Sequence, residues 1–274
     1  MQPLPQMPRI MGVLNVTPDS FSDGGRYATV ERAVAQARRM VEEGADILDI
    51  GGESTRPGAQ TVDIAEELRR TVPVVEAIRT AFADADEEPV LSIDTRKPEV
   101  ARACIEAGCD IWNDVSALTY SPDSLQTAAG LGCDLILMHA QGRPETMQDD
   151  PSYSDPVAEI KAYLAERLEA CDAAGIDTLQ VTLDPGIGFG KRLSDNLAIL
   201  ANIREFKAFG ASVLVGASRK SFIGALDGSQ ADTRLGGSIA AAIVATQNGA
   251  DILRVHDVYE TRQALIVATA IAGA

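Results

Sequence analysis

Eight short apolar segments of this sequence end on polar or charged residues, and those endings hold most of the side chains able to do chemistry. They are Asn15, residues 51–56, Asp94, Asn113 with Asp114, His139, Asp184, residues 218–221, and Arg254 with His256. The types fall into two groups. Asp94, Asn113 and Asp184 offer acceptors and an amide, a set suited to the edge of a flat heterocycle, much as such side chains read a nucleobase. Arg56, Arg219, Lys220, Arg254 and His256 gather cations in a chain that is otherwise acidic. Guanidinium forks and helix N-termini suit a phosphate or diphosphate. The combination reads as a pocket for a heterocycle joined to an anion, and the run DPGIGFGK over residues 184–191 puts an acid at a strand end beside a glycine-rich loop. Each residue also has a plainer reading. Asp94 and Asp184 would serve as caps, Arg254 as a surface ion pair of small energetic weight, and His139 as a buried, hydrogen-bonded histidine. Asp114 and Asp257 fall one residue off the inward parity of their strands and read as structural.

The elements that must position these groups are legible from periodicity. Residues 10–14, 47–50, 90–93, 111–112, 135–138, 179–183, 213–215 and 252–255 are short apolar runs bounded by glycine or polar residues, and read as strands. Between them apolar residues recur at helical spacing, as in Ile64, Leu68, Val72, Val75, Ile78 and Phe82, or Val157, Ile160, Leu164, Leu168 and Cys171. Asp63 with Glu66 resembles a capping box, and Asp155 before Pro156 reads as a cap with proline in the first turn. Pro73 lies inside a helical pattern and predicts a kink or a division there. A repeated device, Gly44-Ala45-Asp46, Gly108-Cys109-Asp110, Gly132-Cys133-Asp134 and Gly249-Ala250-Asp251, precedes four of the strands. Its glycine suits a left-handed helix C-cap and its aspartate opens the turn into the strand. This pattern predicts an α/β chain folded as a single (β/α)8 TIM barrel over residues 1–274, with residues 1–8 as an N-terminal extension. An open doubly wound sheet is the competitor, and it lacks a GxGxxG after the first strand. In a barrel the site lies at the C-terminal ends of the strands, where the polar endings fall.

Composition bounds the partners. The 274 residues are 46% hydrophobic and carry a formal charge of −16, which disfavours a nucleic-acid partner because phosphate neutralisation needs a basic face. Cys104, Cys109, Cys133 and Cys171 show neither CxxC nor metal-ligand spacing and read as reduced thiols. The N-terminal residues lack the apolar core of a signal peptide, and the apolar run 264–274 is too short to span a bilayer. The expectation is a cytoplasmic protein without a membrane partner.

Six motifs in order carry a resemblance that covers residues 10–265. These are NVTPDSFSDGG from Asn15, GGESTRPG from Gly51, SIDT around Asp94, the DPGIGFGK run, SRKSF from Ser218, and RVHD from Arg254. Together they resemble the dihydropteroate synthases of folate biosynthesis. The resemblance implies a (β/α)8 transferase that condenses 6-hydroxymethyl-7,8-dihydropterin diphosphate with p-aminobenzoate, giving 7,8-dihydropteroate and diphosphate by dissociative substitution at the exocyclic carbon. It implies that Asp94, Asn113, Asp184, Lys220, Met138 and Gly216 hold the pterin. Asn15, Thr55, Arg254 and His256 would hold the diphosphate, with Mg2+ at Asn15. Phe21, Pro57, Phe189 and Ser221 would hold p-aminobenzoate, and Lys220, Asp94, Thr55 and Arg56 would carry catalysis. The family is a sulfonamide target and implies a homodimer. Ala140 and Ile187 depart from its usual residues. A related barrel, the pterin-binding methyltransferases, would share the Asp and Asn pocket without needing SRKS and RVH, and an idle pterin-binding paralogue is the second alternative.

Overall fold

β1 (Arg9–Asn15), β2 (Ile47–Gly51), β3 (Val90–Asp94), β4 (Ile111–Asp114), β5 (Asp134–Met138), β6 (Val181–Asp184), β7 (Ser212–Val215) and β8 (Ile252–Val255) pair in chain order. All pairs are parallel, and β8 returns to β1 to close the barrel. The computed structural model describes residues 7–17, 26–54, 61–85, 88–142, 147 and 150–273. The residues named above at Phe21, Thr55, Arg56 and Pro57 lie outside these. Helices α1 (Arg26–Glu42), α2 (Ile64–Phe82), α3 (Pro98–Glu106), α4 (Ser124–Leu131), α5 (Pro156–Ala173), α6 (Leu193–Ala201), α7 (Ser221–Asp227), α8 (Leu235–Gln247) and α9 (Val258–Ala272) alternate with the strands, α7 and α8 both falling between β7 and β8.

The strands are apolar on both faces because both are covered, as parallel sheets require. Outward residues such as Ile10, Leu14, Leu48, Ile50, Leu91, Ile93 and Trp112 join the helices in one large core. Inward residues Met11, Ile47, Ile111, Ile136, Leu214 and Ile252 form a separate apolar plug inside the barrel. Alternation along each strand separates the two sets.

The Gly-x-Asp device does more than end a helix. Its four glycines have φ values of +97°, +120°, +62° and +94°, the left-handed region in which a Cβ is penalised. Three of its aspartates reach back to the strand before their own. Asp46 accepts from Ile10 N at 2.7 Å, Asp110 from Leu91 N at 2.8 Å and Asp251 from Val213 N at 2.7 Å. Each gives a partner to a backbone donor near the start of the earlier strand.

Two expectations need correction. The sixth strand begins at Val181, not at residue 179, because Thr178–Gln180 forms a 3-10 turn. Asp177 accepts from Leu179 N at 2.8 Å and Gln180 returns a bond to Asp177 N, so local side-chain bonding prevails over the apolar look of Leu179, which is 84% exposed. Pro73 does not divide its helix. α2 runs unbroken from Ile64 to Phe82, with Val74, Val75, Ile78 and Phe82 buried after the proline and Glu67 and Thr71 before it. Tertiary contacts on both sides hold the segment as one helix despite the missing N–H.

Candidate active site

Parity locates the site. Asn15, Asp49, Ser92, Asp94, Asn113, Met138, Asp184, Gly216 and Arg254 share the inward parity set by the apolar plug and by the strand register, so they line the interior above it. Asp114 and Asp257 do not share it. Asp114 instead accepts from Ser116 N and Leu118 N at 2.7 and 2.8 Å and wraps the turn after β4.

Asp49 is the centre of this interior. It is fully buried and accepts from Ser92 Oγ at 2.7 Å, from Asn113 Nδ2 at 3.2 Å and from Arg254 Nε at 2.6 Å. Arg254 then reaches Asp94 Oδ2 with Nη2 at 2.7 Å. One guanidinium therefore bridges two carboxylates. Burial opposes its charge, and Asp49 and Asp94 more than offset that, so its proton is held more tightly than usual. Asp94 Oδ1 is buried without a hydrogen-bond partner. A buried acceptor in that state is costly and invites a donor from a ligand. Burial raises the Asp94 carboxyl to about 7, Arg254 pulls it down, and the charge of Asp49 pushes it up again.

Asp184 stands across the opening and accepts from Gly186 N at 2.7 Å. Burial raises its pKa, while the Gly186 bond and the charges of Lys220, Lys191 and Arg254 act against that, which sets all three cations around one mouth. The Lys220 ammonium lies 3.9 Å from the centroid of the Phe189 ring, a cation–π contact. A Cβ on Gly188 would stand 3.1 Å from Lys220 Cδ, so the glycine leaves room for this arrangement. Met138 is buried opposite Asp184 in the register, and Ser221 is exposed at the start of α7.

The cations expected to form an anion cluster divide differently. Arg219 pairs with Asp257 through both Nε and Nη2. Burial lowers His256 to about 4, with Arg254 and Arg219 adding to the effect, so this imidazole is neutral at physiological pH. Its backbone N–H donates to Ser218 Oγ at 3.3 Å and its Nδ1 lies 3.1 Å from the same oxygen. The hydroxyl proton can then go to Nδ1, leaving Nε2–H to face a ligand.

Among the described residues no group of three or more His, Cys, Asp or Glu could hold a metal ion. Asn15 Oδ1 and Asp94 Oδ2 stand 3.6 and 3.9 Å from the place a Cβ on Gly51 would take, so this glycine keeps the space between them open. A hard cation bound there would draw on Asn15 Oδ1 and on oxygens brought by a ligand, the mode Mg2+ favours.

A sequence model described as "Pterin binding enzyme" matches residues 11–256. Dihydropteroate synthase of Escherichia coli K12 is 49% identical over 267 residues, 97% of this chain and 93% of that protein. The chain belongs to the pterin-binding family of dihydropteroate synthases. Two solved family structures superpose closely. The Yersinia pestis synthase with a sulfonamide drug complex gives a TM-score of 0.90 at 44% identity, covering 98% of this chain and 95% of the other. The Xanthomonas albilineans synthase with 4-aminobenzoic acid gives 0.89 at 49% identity, covering 97% and 94%.

Asp49, Ser92 and Lys191 were not among the candidates read from the sequence. Asp49 sits within the run ILDIG and reads as an interruption of an apolar strand. Strand parity was the available signal, because Asp49 is two residues before Gly51 and faces the same way. Missed as well was the fully buried Lys97, which pairs with Glu53 and Glu67 beneath the segment after β2. A lysine at the head of α3 gave no sign of this.

Proposed function

We propose that this chain acts as a dihydropteroate synthase, a transferase joining 6-hydroxymethyl-7,8-dihydropterin diphosphate to p-aminobenzoate with release of diphosphate. The observation that carries the reading is the unpartnered Asp94 Oδ1, beside Asn113 and across the opening from Asp184, three groups matched to the donors and acceptors of a pterin edge. Asp94 and Asp184 would accept from ring and exocyclic N–H groups, and Lys220 would donate to the oxo edge. Asn15, Arg254 and His256 would hold the diphosphate, with Thr55 of the segment after β2. Mg2+ would be bound by Asn15 together with the diphosphate, and it would neutralise charge on the leaving group.

The chemistry asks little of a general base. The electron-rich pterin stabilises positive charge on its exocyclic carbon as the carbon–oxygen bond breaks, the aniline nitrogen then attacks with its lone pair, and the resulting ammonium gives its proton to water or the departing diphosphate. The chain's part is to orient the ring, take up charge on the departing diphosphate and keep the second substrate in line. Phe189 would pack on the p-aminobenzoate ring and Ser221 would donate to its carboxylate, with Phe21 and Pro57 completing the site. Lys220, standing on Phe189, would touch both halves of the reaction.

The reading extends to assembly and compartment. α8 and α9 expose Val244, Tyr259, Ile266, Val267 and Ile271, an apolar face suited to an isologous homodimer. Cys104, Cys109, Cys133 and Cys171 are free thiols, which suits the reducing cytoplasm. Among the described residues no helix is long and apolar enough to cross a membrane.

The test is diphosphate release by the purified protein with Mg2+, given both substrates and then each alone. Release that requires both is the expected result. Tight pterin binding without release would overturn the synthase reading in favour of an idle pterin-binding protein.

A further inference from the structure

Lys191 is the cation of the glycine-rich run that the reaction does not use, and it is only 3% exposed. Its ammonium has three N–H donors, and the structure supplies three acceptors: His139 Nδ1 at 3.0 Å, His139 O at 3.2 Å and Phe189 O at 3.0 Å. Burial lowers His139 to about 3 and the charge of Lys191 adds to this, so the imidazole is neutral and its Nδ1 is free to accept. The groups facing the ammonium are Asp184, whose charge supports it, Lys220, which opposes it, and Asp195 of α6. Burial is the largest influence and, with Lys220, lowers Lys191 to about 7 against the support of Asp184 and Asp195. Its bonds join the loop after β5 to the loop after β6.

The loops it joins touch without slack. A Cβ on Gly186 would stand 1.9 Å from His139 O, and one on Gly190 would stand 2.2 Å from Gln141 O. Tyr153 donates its hydroxyl to Gly190 O at 2.9 Å, and Asn196 Oδ1 accepts from Gly188 N at 2.7 Å. Residues 186–190 are thus fixed at both ends, and Lys191 holds the carbonyl of Phe189, the residue whose ring carries the Lys220 ammonium.

We propose that Lys191 is a positioning residue for the second substrate: by tying Phe189 O to the end of β5, it sets where the Phe189 ring and Lys220 stand, and so sets the affinity for p-aminobenzoate. The proposal rests on the assignment of Phe189 to p-aminobenzoate made above. Of the groups assigned to the pterin, Asp94 and Asn113 lie on β3 and β4, away from the tie, whereas Asp184 and Lys220 adjoin it, so pterin affinity falls too but by less than affinity for p-aminobenzoate.

The experiment compares wild type with Lys191→Met, which keeps the length and loses the donors, and with Tyr153→Phe, a milder cut in the same loop contact. KM for p-aminobenzoate is measured at saturating pterin diphosphate, and pterin affinity by calorimetry without the second substrate. The expected result is a KM for p-aminobenzoate raised about tenfold in Lys191→Met, with pterin Kd changed less than threefold, and a smaller KM rise in Tyr153→Phe. Equal losses in both substrates would make Lys191 merely structural and overturn the proposal. If Lys191→Met does not fold, Tyr153→Phe decides, and an unchanged KM there refutes the positioning role. Wild type that releases no diphosphate would instead refute the synthase reading itself.

Discussion

Replacing Asp49 with asparagine tests the site most directly, because no bond of Asp49 to the other elements depends on an exposed group. The carboxylate is fully buried and bonded to Ser92, Asn113 and Arg254. Asparagine keeps the size and offers one oxygen in place of two. With that oxygen turned to Arg254 Nε, it still accepts from Asn113 Nδ2, while the new amide faces Ser92, whose hydroxyl can rotate to accept, and lies at the Oδ1 position 3.4 Å from Asn113 Nδ2, a donor. The change thus takes the negative charge from the acceptor of the Arg254 bond and sets an amide donor near that of Asn113. A hydrogen bond to a charged group contributes about 1.5–3 kcal/mol. If that energy orients Arg254 and Asn113 toward the bound pterin, kcat/KM falls about 10- to 150-fold, at about 1.4 kcal/mol per decade. A second readout follows from the charge. Burial is the main reason Asp94 ionises near 7, and Asp49 adds to it, so Asp49→Asn should move the acid limb of the pterin-binding profile to lower pH. Coupled-assay kinetics, calorimetric pterin titration from pH 5.5 to 8.5 and a melting curve to confirm folding provide the data. A variant with kcat/KM within twofold of wild type and an unmoved acid limb would refute the argument, since the barrel wall alone would then be positioning Arg254.

Pterin affinity should fall as pH drops below about 7, by at most tenfold per unit, because Asp94 must be ionised to accept from the ring; calorimetry in two buffers of different ionisation enthalpy should show proton release near pH 7 that Asp94→Asn abolishes. The folded pKa of this group lies above its unfolded value, so its contribution to stability is lost as pH rises from about 4 through about 7. Gly186→Ala combines a φ of +70° with a Cβ 1.9 Å from His139 O, and should cost several times the ~1 kcal/mol expected of Gly132→Ala, where φ is +62° and the space is open; similar melting temperatures for the two would sink this. Lys97→Met leaves the buried Glu67 without its cation and should cost about 3–5 kcal/mol, read as a Tm drop of roughly 6–20 °C, whereas a drop under about 2 °C would show that Glu67 is accommodated as a neutral acid.

The sequence carried most of the barrel because its signals are local and repeated. The four Gly-x-Asp copies announced the turns, the Asp155–Pro156 cap set the start of α5, and polar endings fell where the barrel opens. Asp94, Asn113 and Asp184 were visible because each ends an apolar run. Asp49 was hidden because it interrupts one. Only closure of the sheet, which sets Ser92, Asn113 and Arg254 around it from three other strands, makes a mid-strand carboxylate tolerable. The failure at Leu179 has the opposite cause: an apolar side chain suggested a strand where Asp177 and Gln180 close a turn through their own bonds. The division of the cations was likewise a long-range fact. Arg219 and Asp257 are 38 residues apart, and nothing local signals their pairing. Lys97 and Glu67 lie 30 apart and carry as little warning.

The aspartates that reach back across the sheet give the molecule natural seams. Asp46 ties β2 to β1, Asp110 ties β4 to β3 and Asp251 ties β8 to β7, all at the end of the barrel away from the pocket. A break between β4 and β5 severs none of these ties, and each half keeps its own. The chain is therefore suited to division and exchange in units of two strands. Halves taken from related barrels would meet at two strand pairings, β4 with β5 and β8 with β1, and would also have to keep Arg254 of one half against Asp49 and Asp94 of the other.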